Sequence, residues 1–332
     1  MRKLLAGTLI FAAVAGAEAA TITVNSLADI VFDDGACTLR EAAAAADSDM
    51  ASGAMPGECD AGSGADVIEF GAPLTGTITL GSTLTVTSSV EIDGPADRSI
   101  TIAGGAFQLL AVDDGSAATA QQVALRRLTF SGGQSGIVTA EKLVVYACTI
   151  TGFTVTGTDP ILAVTFDGTL LLSNTTISGN DEGSTFATVT AFGPTVVIHS
   201  TITANTGDGI LGDSLHVVNS VIADNTGDDC FNAPVLAAGN FFGDATCDGV
   251  ADGDPMLAGL ADNGLPTLTH GLLLNSPLRD AADDAGCLAA DQRGQDRALD
   301  GDGDLVEECD VGAVEVTDDM TVPVRLQSFT IE

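Results

Sequence analysis

Apolar residues in the middle of the chain recur in short alternating runs, not at helical spacing. Five runs look like copies of one another: Leu128-Thr129-Phe130-Ser131-Gly132, Cys148-Thr149-Ile150-Thr151-Gly152, Thr175-Thr176-Ile177-Ser178-Gly179-Asn180, Ser200-Thr201-Ile202-Thr203-Ala204-Asn205 and Ser220-Val221-Ile222-Ala223-Asp224-Asn225. Their central apolar residues, at 130, 150, 177, 202 and 222, lie 20, 27, 25 and 20 positions apart. Strand-like alternation closed by a turn residue, with a loose period in the twenties, predicts stacked β-coils. Phe130, Ile150, Ile177, Ile202 and Ile222 should then form one interior column. Asn180, Asn205 and Asn225 each follow the anchor by three positions. That offset predicts an amide ladder running along one turn.

Further alternating strands precede the repeats: Asp66 to Phe70, Gly76 to Leu80, Leu84 to Val86, Val90 to Ile92 and Ser99 to Ile102. Ahead of them, Cys37 to Ala46 is rich in helix formers, with Thr38 as N-cap and Glu41 completing a capping box. A helix there covers the open apolar end of a first coil. The fold class predicted is all-β, a parallel solenoid with a short N-terminal capping helix and a loop-rich C-terminal cap. The reading divides the chain into a signal peptide (1–19), an N-terminal cap (20–65), coils (66–229), and last coils with a C-terminal cap and surface extension (230–332). The signal peptide rests on basic Arg2 and Lys3, an apolar run from Leu4 to Val14, and the small-x-small site Ala17-Glu18-Ala19. The expected location is therefore secreted, and nothing later reads as a transmembrane helix.

Charge narrows the partners. With 11 Lys and Arg against 46 Asp and Glu, the formal net charge is −35. Binding to nucleic acid by phosphate neutralisation is excluded on that balance. Hard oxygen ligands for calcium are abundant. Seven cysteines in an exported chain suggest disulfides. The local pairs are Cys37 with Cys59, Cys230 with Cys247 and Cys287 with Cys309, each closing a loop worth roughly 3 kcal/mol. Cys148 is left over and is expected to be buried as a small apolar residue.

The candidates for chemistry are few. Arg126 and Arg127 are adjacent, so one should point inward and one outward if both lie on a strand. Lys142 begins the next coil. A lyase acting on uronates needs such a base beside calcium ligands, and a glycosidase needs two carboxylates roughly 5 to 9 Å apart. Asp228-Asp229 is the carboxylate pair on offer, beside a cysteine. Asp300, Asp302 and Asp304 alternate on a Gly-rich loop, with Glu308 and Asp310 close behind, which suits a structural calcium loop. Val311 stands where an EF-hand carries its glutamate, so the EF-hand proper does not fit. His199 and His216 read as structural surface residues of the coils, and His270 as remote from them. Tryptophan is absent and Tyr146 is the single tyrosine, so the usual aromatic platform for sugars is missing.

Cys37-Thr38-Leu39-Arg40-Glu41-Ala42, followed by Ile68-Glu69-Phe70, Gly76-Thr77-Ile78, Ile92-Asp93-Gly94-Pro95 and Ile100-Thr101-Ile102-Ala103-Gly104-Gly105, resembles the CSLREA-motif proteins, with Thr38 in place of the usual serine. Asn275-Ser276-Pro277, Asp291-Gln292-Arg293-Gly294 and Cys309-Asp310-Val311-Gly312-Ala313 resemble the choice-of-anchor Q domain that often accompanies them. The resemblance implies an exported bacterial right-handed parallel β-helix and no particular activity. The leading expectation is a non-catalytic protein with a structural or adhesive role at or near the cell surface, its partner a surface or extracellular glycan or protein. The alternative is a calcium-dependent polysaccharide lyase or glycoside hydrolase acting on the coil flank.

Overall fold

The computed structural model describes residues 19–116, 120–155, 160–165, 168–183, 187–301 and 304–316. The signal-peptide reading up to residue 18, Asp302, and the C-terminal residues from 317 lie outside the described residues. Strand β1 (Thr21–Val24) comes first, then helix α1 (Leu39–Ser48). Next come triplets of strands: β2 (Asp66–Phe70), β3 (Gly76–Thr79) and β4 (Leu84–Val86); then β5 (Val90–Asp93), β6 (Ile100–Ala103) and β7 (Gln108–Val112). The repeats supply β8 (Gln122–Arg126), β9 (Thr129–Ser131) and β10 (Ser135–Thr139); β11 (Lys142–Tyr146), β12 (Thr149–Thr151) and β13 (Leu162–Val164); and β14 (Thr169–Ser173), β15 (Thr176–Ser178) and β16 (Ala187–Ala191). The series continues with β17 (Thr195–Ile198), β18 (Thr201–Thr203) and β19 (Asp208–Gly212), then β20 (Leu215–Val218) and β21 (Val221–Ala223), then β22 (Leu236–Ala238) and β23 (Phe241–Phe242). A hairpin, β24 (Leu257–Ala261) and β25 (Thr269–Leu272), opens the C-terminal segment.

The chain visits three parallel sheets in rotation. Among the described residues these sheets have nine, eight and six strands, beginning at β1, β3 and β4 respectively. The architecture is thus all-β and built of long parallel sheets, as a parallel solenoid requires. Among the described residues, no helix is long and apolar enough to cross a membrane.

Register follows the alternation. The column expected from the repeats is present, and it is longer than expected. Ile78, Ile102, Phe130, Ile150, Ile177, Ile202, Ile222 and Phe242 pair in unbroken sequence along the eight-stranded sheet. Each is at most 2% exposed. Ile68, Ile92, Leu125, Val145, Leu172, Val197 and Val217 do the same in the nine-stranded sheet. The three inward faces meet in one aliphatic core.

Sharp corners come from left-handed residues in two columns. Arg127, Ala147, Asn174, His199 and Asn219 have φ between 44° and 54° and turn the chain from the nine- to the eight-stranded sheet. Gly132, Gly152, Gly179, Ala204 and Asp224, with φ from 55° to 71°, end the strands of the eight-stranded sheet. Only the backbone conformation constrains Gly179, since a Cβ there would meet nothing nearer than Thr151 Oγ1 at 3.5 Å. Gly179→Ala should therefore cost about 1 kcal/mol. Ala204→Gly in the neighbouring coil should shift stability the other way, by less, because glycine also loses more entropy on folding. Urea unfolding of the two variants measures both signs.

Helix α1 starts as the sequence dictates. Thr38 accepts from Glu41 N, and the Glu41 carboxylate accepts from Thr38 N at 3.0 Å, which completes the capping box. The helix packs against β1, β2 and β4 through Leu39, Ala42, Ala45 and Ala46. Disulfides join Cys37 to Cys59, Cys230 to Cys247 and Cys287 to Cys309, and Cys148 is free and buried. Burial pushes the Cys148 thiol up to about 12, so it stays a protonated, inert side chain.

Candidate functional site

Arg126 and Arg127 both reach the outer flank of the nine-stranded sheet. The condition for an in-and-out pair is not met, since only Arg126 lies on a strand, while Arg127 sits at the corner with φ 53°. Arg126 lies over the Tyr146 ring, 5.2 Å from its centroid, and its Nη1 is 3.2 Å from Glu91 Oε1. Arg127 donates to Asp93 Oδ2 at 2.5 Å and to the Gly94 carbonyl at 2.7 Å. Lys142 is exposed at the start of β11, and its register partner is Gln122, at the far end of β8 from Arg126.

Asp228 and Asp229 belong elsewhere. They follow β21, which lies in the coil of β20, and β20 is four strands from β8 across the nine-stranded sheet (β8, β11, β14, β17, β20). At roughly 4.8 Å per strand that separates them from Arg126 by about 19 Å along the stack. Asp228 is exposed, whereas Asp229 is buried at the end of the amide ladder. Asn180 Nδ2 donates to Asn205 Oδ1 at 2.9 Å, and Asn205 Nδ2 to Asn225 Oδ1 at 3.0 Å. Asn225 Nδ2 then donates to Asp229 Oδ1 at 3.1 Å. Each amide also donates to the backbone of the preceding coil, at Ile150, Ile177 and Ile202. Burial raises the Asp229 carboxyl to about 6, offset by the Asn225 and Asp244 donors. Its role is to terminate a ladder. Asn205→Leu breaks that ladder in the middle and strands buried groups on both sides, at an expected cost of about 2–3 kcal/mol in thermal or urea unfolding.

The C-terminal segment lies along the outer face of the eight-stranded sheet. That face presents a threonine column, Thr101, Thr129, Thr149, Thr176 and Thr201, in register. From Thr149 onward it is covered. Gln292, 1% exposed, is the central peg: its Nε2 donates to the Cys148 carbonyl, Thr149 Oγ1 and Thr267 Oγ1, and its Oε1 accepts from Thr176 Oγ1 at 2.6 Å. Ala313 N donates to Thr201 Oγ1 at 3.0 Å. His270, expected to be remote from the coils, instead meets Ser178 Oγ at 2.8 Å. Where the cover stops, Ser99, Thr101, Thr129, Pro266, Thr267 and Leu268 line a groove of about 110 Å³. That is well under the roughly 300 Å³ at which ligand pockets begin.

Beneath the cover lies a buried charge network. Arg297 donates to Asn174 Oδ1 at 2.9 Å, to the Gly312 carbonyl at 2.8 Å and to Glu315 Oε2 at 3.3 Å. Asp310 accepts from Asp280 N and Val316 N. Burial, then the neighbouring Glu315, pushes Asp310 up to about 7, and burial also raises Glu315. Arg293 pairs with Asp291 at 2.6 Å and also donates to the Glu315 carbonyl. His199 was read as a surface residue. It is in fact fully buried, because the segment 283–290 folds over its corner. Its Nε2 faces Asn219 Nδ2 at 3.1 Å and the Leu288 amide at 3.4 Å, and burial drives its pKa down to about 3.

The proposed calcium residues divide. Asp310 points into the network just described. Asp300 Oδ2 accepts from Leu305 N at 2.9 Å, Asp304 Oδ1 from Val306 N at 2.8 Å, and Glu308 bridges to Leu299. A second acidic group, Asp113, Asp114 and Glu141, gathers three carboxylates at the bend after β7. Sequence reasoning missed Gln292, Arg297 and Glu182. Glu182 is a buried carboxyl raised to about 8 by desolvation, with Oε1 accepting from Ile161 N. No periodicity marks these three, since each is defined by a partner twenty or more positions away.

Chemically, the arrangement holds coils together: amide to amide, amide to threonine, and guanidinium to a carboxylate and to backbone carbonyls. Compared with known protein families, curated proteins and solved structures, the chain finds no match.

Proposed function

We propose that this chain is an exported, non-catalytic right-handed parallel β-helix with a structural or adhesive role at or near a bacterial surface. Helix α1 closes one end of the helix. The last short coils close the other end, while the C-terminal segment lies along the outer face of the eight-stranded sheet instead of capping it. The observation that carries this reading is where the polar side chains are spent. Arg126 and Arg127 pair with Glu91 and Asp93, and Asp229 ends a ladder about 19 Å further along the stack. What remains is a long, regular, acidic exterior suited to contact with a glycan or protein. The resemblance to CSLREA-motif proteins supports the same reading.

Calcium enters the proposal as a structural ion at Asp300, Asp302, Asp304 and Glu308. Six carboxylates between residues 300 and 310, in a chain of net charge −35, repel one another without a cation. An ion held by the folded loop and not by the unfolded chain should raise the melting temperature in a concentration-dependent way. Asp302→Ala with Asp304→Ala should abolish that rise, and an unchanged rise would remove the loop from consideration. The function itself is tested by incubating the protein with uronate polymers and neutral glycans, with and without calcium. Binding without turnover is the expected outcome. Robust depolymerisation of any of them overturns the non-catalytic reading in favour of a lyase or hydrolase.

A further inference from the structure

We propose that removal of the leader between Ala19 and Ala20 sets a structural lock: the α-ammonium group created on Ala20 becomes the counter-ion of the buried Asp66 carboxylate and fixes β1 to the first coil. The lock rests on the exported reading above, which it extends by naming the group that receives the new chain end.

Three features meet at this point. The small-x-small site Ala17-Glu18-Ala19 ends directly before Ala20. Ala19 is exposed, and from Ala20 onward the chain is held. The Ala20 carbonyl accepts from Val67 N at 2.9 Å, and β1 then pairs with β2 from Thr21 to Val24. The Ala20 nitrogen donates to Asp66 Oδ1 at 3.0 Å. The second feature is Asp66 itself, which is 1% exposed. Its Oδ1 also accepts from Ser63 N at 2.7 Å, yet among the described residues its Oδ2 has no hydrogen-bond partner. A buried carboxylate with an empty oxygen and no cation is costly. The third feature is the end of α1. A Cβ built on Gly62 would touch both Asp66 Oδ2 and the Ala45 carbonyl oxygen, so these two oxygens border one small space. Ala45 lies in the last turn of α1, where the helix dipole is negative and no basic side chain offsets it. Among the described residues, the ion pairs of Arg40, Arg98, Arg126, Arg127, Arg293 and Arg297 are all made to other carboxylates.

While the Ala19–Ala20 peptide bond is intact, the Ala20 nitrogen brings one N–H and no charge. A peptidase of the export route adds water across that bond. The hydroxyl goes to the Ala19 carbonyl carbon, which departs with the leader as a carboxylate. Ala20 keeps the nitrogen as an amine, which takes up a proton at neutral pH. Its three N–H groups reach Oδ2 as well as Oδ1 by rotation about the N–Cα bond, and its charge offsets both Asp66 and the end of α1. Other charged side chains on the packed elements do not compete. On α1, Arg40 pairs with Asp29, Glu41 serves the N-cap and Asp47 accepts from Thr87 N and Ser88 N. On β5, Glu91 and Asp93 pair with Arg126 and Arg127. Glu69 on β2, and Asp49 and Asp60 in the neighbouring loops, are acidic. An α-amine ordinarily titrates near about 8, and a carboxylate partner raises that value in the folded chain. The stabilisation is therefore complete below about 8 and is lost as pH rises through the raised value.

The experiment expresses the full chain with its leader in an exporting bacterial host and weighs the secreted product by mass spectrometry. Its N-terminus should be Ala20. A second chain carries Gly-Ser inserted between Ala19 and Ala20, so that processing leaves the Ala20 nitrogen as an amide and moves the charge two residues away. Asp66→Asn is made in both, since asparagine keeps an acceptor oxygen for Ala20 N and Ser63 N. In urea at pH 7, the folded-to-unfolded ratio of the parent should exceed that of the extended chain at least tenfold. The gap should vanish in the Asp66→Asn pair and close by pH 10. An equal ratio in the parent pair, or a gap that survives Asp66→Asn, overturns the lock and leaves export standing. A secreted product that starts elsewhere than at Ala20 also overturns the lock alone. A chain that is not secreted overturns the exported reading and the lock with it.

Discussion

A chain carrying Ile177→Asp should show no cooperative unfolding transition and should be recovered as aggregate. Ile177 is fully buried between Ile150 and Ile202 in the middle of the eight-residue column. The aspartate would enter an aliphatic interior with no cation or donor in reach, and an unpaired buried charge costs several kcal/mol. That is a large share of the whole stability of a domain. Ile177→Ala separates charge from size. It should cost about 2–5 kcal/mol, the usual price of a large-to-small change in a packed core, and retain a sharp transition. Circular dichroism melts of both variants test the pair. A folded Ile177→Asp with a near-native melting temperature would show that the column is not continuous.

The second large effect belongs to Arg297. Arg297→Leu leaves Glu315 and Asp310 buried beside each other without their guanidinium, at an expected cost of about 3–5 kcal/mol. The loss should grow with pH. The Asp310 carboxyl is raised to about 7 when folded, so its contribution is most favourable below the ordinary carboxylate value and is lost as pH rises through about 7. Without Arg297 both carboxyls hold their protons to still higher pH. His199, whose pKa is lowered by burial and also by Arg297, charges more readily at low pH once the guanidinium is gone. Urea unfolding of parent and variant at pH 5 and pH 8 should therefore show the larger gap at pH 8. An equal gap at both would mean that the network is held by shape and not by charge.

The coils were legible because their signal is local and repeated. Ile150, Ile177 and Ile202 announce an inward face every twenty-odd residues, and Asn180, Asn205 and Asn225 announce a turn. Thr38 and Glu41 likewise mark the helix start within four positions. The C-terminal segment was legible as loop-rich surface, but its path was not. Gln292 bonds to Thr149 across 143 positions and Arg297 to Asn174 across 123. Such contacts depend on which face of which sheet the segment lies against, and no residue pattern inside 262–317 encodes that. The same holds for His199. Its burial is imposed by residues 283–290, not by its own strand. The directions of Arg126 and Arg127 hung on where the strand ends: it ends between them, and a left-handed corner sends both outward.

The segment threaded over the threonine column changes how the molecule must melt. Parallel coils alone make a one-dimensional array, in which each rung answers only to its neighbours and the ends fray independently. Gln292 bridges two rungs, at Thr149 and Thr176, and Ala313 holds a third at Thr201. Arg297 ties the Asn174 corner to the same segment. Rungs that could open one at a time should thereby open together, as one cooperative unit from Thr149 to Thr201. Because the tie is the last described part of the chain to be synthesised, that cooperativity arrives only when the coils beneath it are already standing.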